Sequence, residues 1–190
     1  MILPGAPVCD DVVEQDRDLV IFLDIDGVLK TPYAVLAGFS FDPVTAQMLN
    51  RLCALKQTKV VFSGTDRRSS WVDNDPRLAE KYLSDLGLPD ARMHEHWRTQ
   101  VHPERRHVEI GNWLAEHATD REHYIMIDDE SFNVSYNHSR RVNEIMFNGW
   151  IHFSPEAGMT FHAAHKLREL YEMRTWSFVD EPDPETKAGT

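Results

Sequence analysis

Leu19-Val20-Ile21-Phe22-Leu23-Asp24-Ile25-Asp26-Gly27 is the stretch on which the fold turns. Five consecutive apolar residues, partly β-branched, are too uniform for a half-exposed strand and read as a strand buried on both faces. The run stops at two acids one residue apart, followed by glycine. The same pattern recurs twice: Val60-Val61-Phe62 ends in Ser63-Gly64-Thr65, and Tyr124-Ile125-Met126-Ile127 ends in Asp128-Asp129. Strands buried on both faces belong to parallel sheets covered by helices, where ligands collect at the carboxyl ends of the strands.

The intervening segments carry helical patterns with recognisable starts. Asp42-Pro43 supplies a cap and a first-turn proline ahead of Met48, Leu49, Leu52 and Leu55, and Asp75-Pro76 does the same ahead of Leu78, Ala79, Tyr82, Leu83 and Leu86, with Gly87 as the stop. Pro103 is expected to open a third helix, with Ile110, Trp113, Leu114 and His117 on one face, and a last helix spans about Thr160 to Met173. Strands alternating with helices predict an α/β, Rossmann-like three-layer sandwich with a central parallel sheet. A fourth strand falls at Glu144–Phe147 or Trp150–Phe153, between which periodicity does not choose. The expected organisation is an N-terminal extension over 1–17, one domain over 18–176 and a disordered tail over 177–190, with no internal repeat or second domain.

The chain of 190 residues sets 31 acids against 20 lysines and arginines, a formal charge of −11. That balance argues against sequence-independent binding of long polynucleotides, which draws its affinity from many cations neutralising phosphates. It leaves a small phosphorylated substrate open, because a pocket inside an acidic protein can be locally cationic. Cys9 and Cys53 form no CxxC pair, so neither a disulfide framework nor a thiolate zinc site is expected, and a reducing, cytoplasmic compartment is. No signal peptide is read at the N-terminus, and Leu19–Leu23 falls far short of the roughly 20 residues of a membrane helix.

Asp24 and Asp26 at one strand tip, with Asp128 and Asp129 at another, are costly to bring together unless a cation offsets their repulsion. Mg²⁺ is the cation indicated, since it takes one or two carboxylates together with waters and a substrate phosphate. Gly27 follows the second acid too closely for a calcium EF-hand loop and permits a sharp turn. Ser63 offers a hydroxyl toward a phosphoryl oxygen. The cluster His94-Glu95-His96, with His102 and His107, follows no zincin spacing and reads as surface-loop histidines. Trp71, Trp97 and Trp113 could stack on a base, although Trp113 lies on an apolar helical face and is expected to pack.

VIFLDIDGVL, VVFS and YIMIDD resemble the first, second and fourth motifs of the haloacid dehalogenase (HAD) superfamily. More narrowly, FLDIDGVL, VVFSGTDRR, RHVEIGNWL, YIMIDDES and AGMT resemble the small capless HAD-like domains associated with Swiss Army Knife RNA repair proteins. The resemblance implies that Asp24 is a nucleophile forming an aspartyl phosphate and that Asp26 is the acid–base residue. It further implies Mg²⁺ held by the Asp24 carboxylate, the Asp26 backbone carbonyl and an acid of the fourth motif, with Asp129 as direct ligand and Asp128 in support. The superfamily's third-motif lysine has no counterpart here; Arg106, three residues before Glu109-Ile110 as in the narrower family, takes its place, with Arg105 and Lys81 as alternatives. Ser63, Gly64, Arg67 and Arg106 then form the phosphate-binding set, and Asp66 stands where the narrower family carries tryptophan.

The expected activity is therefore Mg²⁺-dependent hydrolysis of a phosphomonoester, a nucleotide or another small phosphorylated metabolite. The stretches from Asp26 to Ser63 and from Ser63 to Arg106 are each occupied by a core helix, leaving no room for a large cap. Two alternatives stand beside this reading. A polynucleotide end-healing phosphatase requires Arg67-Arg68, Arg105-Arg106 and Arg140-Arg141 to line one side of the site. A catalytically silent Mg²⁺- or phosphate-binding scaffold would have no need of Asp26.

Overall fold

A computed structural model of the chain describes residues 17–63, 75–100, 105–130, 138–154 and 157–175. Five parallel strands form one sheet: β1 (Asp18–Leu23), β2 (Thr58–Phe62), β3 (Met93–Arg98), β4 (Glu122–Asp128) and β5 (Trp150–His152), in the order β3-β2-β1-β4-β5. The described helices are α1 (Pro32–Leu36), α2 (Pro43–Cys53), α3 (Pro76–Asp85), α4 (Arg106–His117), α5 (Arg140–Gly149) and α6 (Phe161–Thr175).

The apolar run that opened the sequence reading fills both faces of the sheet. Leu19, Ile21 and Leu23 pack with Leu49 and Leu52 of α2, Leu83 of α3 and Leu167 of α6. Val20 and Phe22 pack with Ile110, Trp113 and Leu114 of α4 and Val142 and Met146 of α5. The three-layer sandwich is thus a direct consequence of a strand with no polar face. Burying each of these large side chains stabilises by about 1.5–3 kcal/mol, and Trp113 adds an edge-on contact to Phe22 at 4.9 Å between ring centres.

The helix starts follow the sequence. Asp42 and Asp75 cap α2 and α3 by accepting from backbone amides, each with proline in the first turn, and α3 ends at Gly87, whose φ of +88° suits glycine. Helix α4 begins at Arg106 with Arg105 as its N-cap, whereas Pro103 lies outside the described residues. The fourth apolar strand is Trp150–His152, while Glu144–Phe147 belongs to α5. The histidine-rich stretch is strand β3 rather than a loop.

The strand order places the site. Going outward from β1, the chain runs to β2 and β3 on one side and then to β4 and β5 on the other, so the strand order reverses at β1. Such a switch point leaves a crevice beyond the carboxyl ends of the central strands. In register, Leu23 stands opposite both Phe62 and Ile127, which brings Asp24, Ser63 and Asp128 abreast at that edge. Asp24 N donates to Ile127 O at 3.0 Å and Ser63 N to Leu23 O at 3.2 Å, extending the sheet to the first polar residue of each strand. No helix among the described residues is long and apolar enough to cross a membrane. The expected disordered tail and most of the N-terminal extension lie outside the described residues.

Candidate active site

Asp24 leaves the tip of β1 almost wholly buried. Its Oδ1 accepts the Ile25 amide at 2.8 Å, and its Oδ2 lies 3.4 Å from Arg106 Nη2. Arg106 reaches it from the first turn of α4 and, among the described residues, is the guanidinium set within a group of buried acids. Its Nη1 stands 3.7 Å from Asp128 Oδ2 and its Nε 3.8 Å from Glu109 Oε2, and Nη1 also donates to the Ser63 carbonyl. Of the three basic residues expected as candidates, Arg106 is the one the structure brings beside these acids. Lys81 instead lies exposed on α3, paired with Asp85 at 3.0 Å, and Arg105 is exposed at the helix cap.

Among the described residues of the site, one buried cation is set against several buried carboxylates, which does not offset their desolvation. Burial, only partly opposed by Arg106, pushes the Asp24 carboxyl up to about 6. Burial and the neighbouring Asp24 charge hold Asp128 well above the usual carboxylate range. Asp129 is raised as well, chiefly by burial. Burial acts to discharge Arg106, but Asp24, Asp128, Glu130 and Glu109 together outweigh it and keep the guanidinium charged.

Asp24, Asp128 and Asp129 form a group whose ligand atoms all lie within 4.8 Å of one another, the one such group among the described residues. Asp128 is fully buried: its Oδ1 accepts the Glu130 amide at 2.8 Å, and its Oδ2 accepts no hydrogen bond. Arg106 Nη1 at 3.7 Å lies too far to donate to it, and a buried carboxylate oxygen without a hydrogen bond is costly. The donor set, all hard oxygen, suits Mg²⁺. The carboxylate of Asp26 stands outside this group, so three of the four expected acids converge, not all four.

Asp26 is exposed and lines an open cleft of about 780 Å³ together with Asp24, Arg106 and Asp129. Gly27 does more than turn the chain. Its φ is +79°, and a Cβ there would fall 2.2 Å from Asp129 Oδ2, so the absence of a side chain lets the fourth-motif acid lie against the first-motif loop.

Gly64 and Arg67 of the expected phosphate-binding set, like Thr65, Asp66, Arg68, Trp71 and His102, lie outside the described residues. The surface-loop reading of the histidines is corrected. His94 is buried in β3 with its Nε2 3.1 Å from Glu122, His107 is buried in α4, and His96 stacks on His117 at 3.9 Å. Trp97 is buried against the core and Trp113 packs as expected.

Sequence reasoning passed over three features. Glu109 was used only as a landmark, although its spacing of one helical turn from Arg106 signals an ion pair. Lys30 lines the cleft and hydrogen-bonds to the Tyr82 hydroxyl, and Pro32, Val35 and Leu36 form one wall; only their proximity in sequence to Asp26 hinted at this.

Residues 20–164 match the family model for the HAD domain in Swiss Army Knife RNA repair proteins. No curated protein and no solved structure matches the chain. Because that match spans most of the sequence and runs through every strand of the sheet, the chain belongs to the family of HAD domains in Swiss Army Knife RNA repair proteins.

Proposed function

We propose that the chain is a Mg²⁺-dependent phosphomonoesterase that works through an aspartyl phosphate on Asp24. The observation that carries this reading is the buried group of Asp24, Asp128 and Asp129 at the switch point, with Arg106 against two of the three. Asp24, Asp129 and Asp128 are the acids that would hold the metal, Asp129 directly, since it lines the cleft, and Asp128 in support from beneath. The Asp26 backbone carbonyl would complete the protein ligands. The bound cation would neutralise charge on the phosphoryl oxygens.

The chain's own residues then divide the work. Asp24 attacks phosphorus in line with the scissile bond, and Asp26, at the open side of the cleft, gives its proton to the departing oxygen. Arg106 holds phosphoryl oxygens in a charge-assisted fork, with Ser63 beside it at the tip of β2. Asp26, now ionised, takes a proton from water. That water attacks the aspartyl phosphate at phosphorus, which returns Asp24 and releases orthophosphate. Uncatalysed monoester hydrolysis is slow enough to call for rate enhancements of up to about 10²¹, so nucleophile, acid and cation are all engaged.

A nucleotide or another small phosphorylated metabolite fits this site better than a polynucleotide end. Of the arginine pairs, and among the described residues, only Arg106 stands in the site; Arg105 is exposed at the α4 cap and Arg140 pairs with Glu144 on α5. Arg141 pairs with Asp120 at 2.6 Å and lines a separate cleft with Arg17 and Glu122, at the amino edge of the sheet and away from Asp24. A silent scaffold is disfavoured by Asp26, which stands in the cleft without belonging to the carboxylate group.

The test is phosphate release by the purified chain with Mg²⁺ from nucleoside monophosphates, sugar phosphates and end-phosphorylated oligonucleotides. The expected outcome is turnover that disappears on chelation and falls on the order of 10⁶-fold in Asp24→Asn, the scale of losing a covalent nucleophile. Undiminished turnover in Asp24→Asn would exclude the mechanism.

A further inference from the structure

We infer that helix α1 is the subsite for the leaving group, and that the preferred substrate is a phosphomonoester whose leaving group presents a flat, uncharged ring. The inference rests on the phosphomonoesterase reading above. Pro32, Val35 and Leu36 line the same cleft as Asp24 and Asp26. Leu36 is 82% exposed and Val35 64%, with Tyr33 at 65% beside them on a helix of five residues. Large apolar side chains grouped this openly on a soluble protein mark a surface that something covers.

The helix is also fixed in place. Thr31 is fully buried and caps it by accepting the Ala34 amide at 3.1 Å, and Ala34 itself is buried beneath the exposed face. Gly158 makes room for this anchor, since a Cβ there would lie 2.5 Å from the Thr31 methyl. At the base of the helix Lys30 hydrogen-bonds to the Tyr82 hydroxyl and lies 5.0 Å over its ring, tying the segment to α3. An apolar ledge held outward by buried anchors is preorganised for a rigid, flat partner.

Charge selects among such partners. Among the described residues that line the cleft, Lys30 and Arg106 face Asp24, Asp26, Asp129 and Glu130. Even with a bound Mg²⁺ beside these two cations, the four carboxylates and the phosphoryl group being transferred leave no surplus positive charge to attract a further anion. A polyphosphate or an oligonucleotide is disfavoured on this count, and a monophosphate on an uncharged ring is favoured. The phosphoryl group sits on the floor at Asp24 and Arg106, and the ring covers Val35 and Leu36.

The experiment compares 1-naphthyl phosphate with glycerol 3-phosphate in the wild-type chain and in Val35→Ser/Leu36→Ser, with Mg²⁺ present. Taking the change between proteins cancels the intrinsic difference between the two leaving groups. The expected result is that the ratio of kcat/KM for the ring substrate over the glycerol ester falls about tenfold, through KM. Leu36→Ser alone, at a side chain with almost no contact to lose, carries the same test should the double variant fold poorly. Turnover of both substrates with an unchanged ratio overturns the subsite and leaves the hydrolase reading intact. Turnover of neither overturns that reading and the subsite with it. A drop in sedimentation coefficient at an unchanged ratio assigns the ledge to a second copy of the chain and likewise overturns the inference.

Discussion

Strand β4 carries a buried or half-buried acid at each end, and the two are treated in opposite ways. At the amino end Glu122 is satisfied on both oxygens: Oε2 accepts from the Tyr124 hydroxyl at 2.5 Å and the Thr119 hydroxyl at 2.8 Å, and Oε1 lies 3.1 Å from His94 Nε2. Burial pulls its pKa up, yet the hydrogen bonds from Tyr124, Thr119 and His94 outweigh it and leave the carboxyl below its ordinary range. At the carboxyl end Asp128 is fully buried beside another acid, has an oxygen that accepts no hydrogen bond, and is held well above that range. Burial of a carboxylate therefore does not mark a site. An acid completed by its neighbours is part of the scaffold, whereas a buried acid without that completion at a switch point is a candidate ligand for a cation.

The largest expected effect comes from removing the cation at the incomplete end. Arg106→Ala leaves Asp24, Asp128 and Glu109 buried without their shared partner. Phosphate release is expected to fall by about 10²–10³-fold, as on loss of a transition-state donor. Urea titration should show a loss of about 3–5 kcal/mol, the cost of breaking a buried pair from one side. Activity close to wild type would make the carboxyl end as purely structural as the amino end.

Next is Gly27→Ala, which puts a methyl group into Asp129 at a positive φ. Displacing a positioned acid by about 1 Å can cost about 10²-fold, and a loss of that size in phosphate release is expected. Full activity would show that Asp129 does not act from that position.

The two ends should also separate in stability. Glu122→Gln disturbs a completed network and is expected to destabilise by about 1–3 kcal/mol. Asp128→Asn, measured with chelator present, relieves the repulsion from Asp24 while keeping an oxygen for the Glu130 amide, and should raise stability by about 1 kcal/mol. Shifts of the same sign in the two urea curves would erase the contrast. The smallest effect is in pH. Because the folded pKa of Glu122 lies below the ordinary value of about 4.3, its contribution is present above the unfolded pKa and is lost as pH falls through the folded pKa. The stability gap between wild type and Glu122→Gln should be constant near neutrality and close in acid; a gap that widens in acid would reverse the assigned sign.

The fold was legible where hydrophobicity is uniform. Leu19–Leu23, Val60–Phe62 and Tyr124–Ile127 announce central strands because neither face of the sheet admits a polar side chain there. Strand β3 escaped notice because it lies at the sheet edge, where Met93 and Trp97 are buried while Glu95, His96 and Arg98 remain exposed. Helix α1 was missed for a different reason: it is a single short turn whose apolar residues face the cleft, so no core stripe betrays it. The acids of the site could be named from their strand tips, since register alone brings Asp24 and Asp128 together. Arg106 came from the family resemblance, because nothing in the local pattern tells a site arginine from a surface one. The exclusion of Asp26 from the carboxylate group depends on side-chain direction, which spacing does not carry.

Whether Asp24 takes the phosphoryl group can be settled by quenching the enzyme with acid during turnover of a phosphate-labelled monoester and mapping the label by peptide. Label on the peptide containing Asp24, absent from Asp24→Asn, is the expected result. Steady turnover with no label on that peptide, and persisting in Asp24→Asn, would contradict covalent catalysis by this chain.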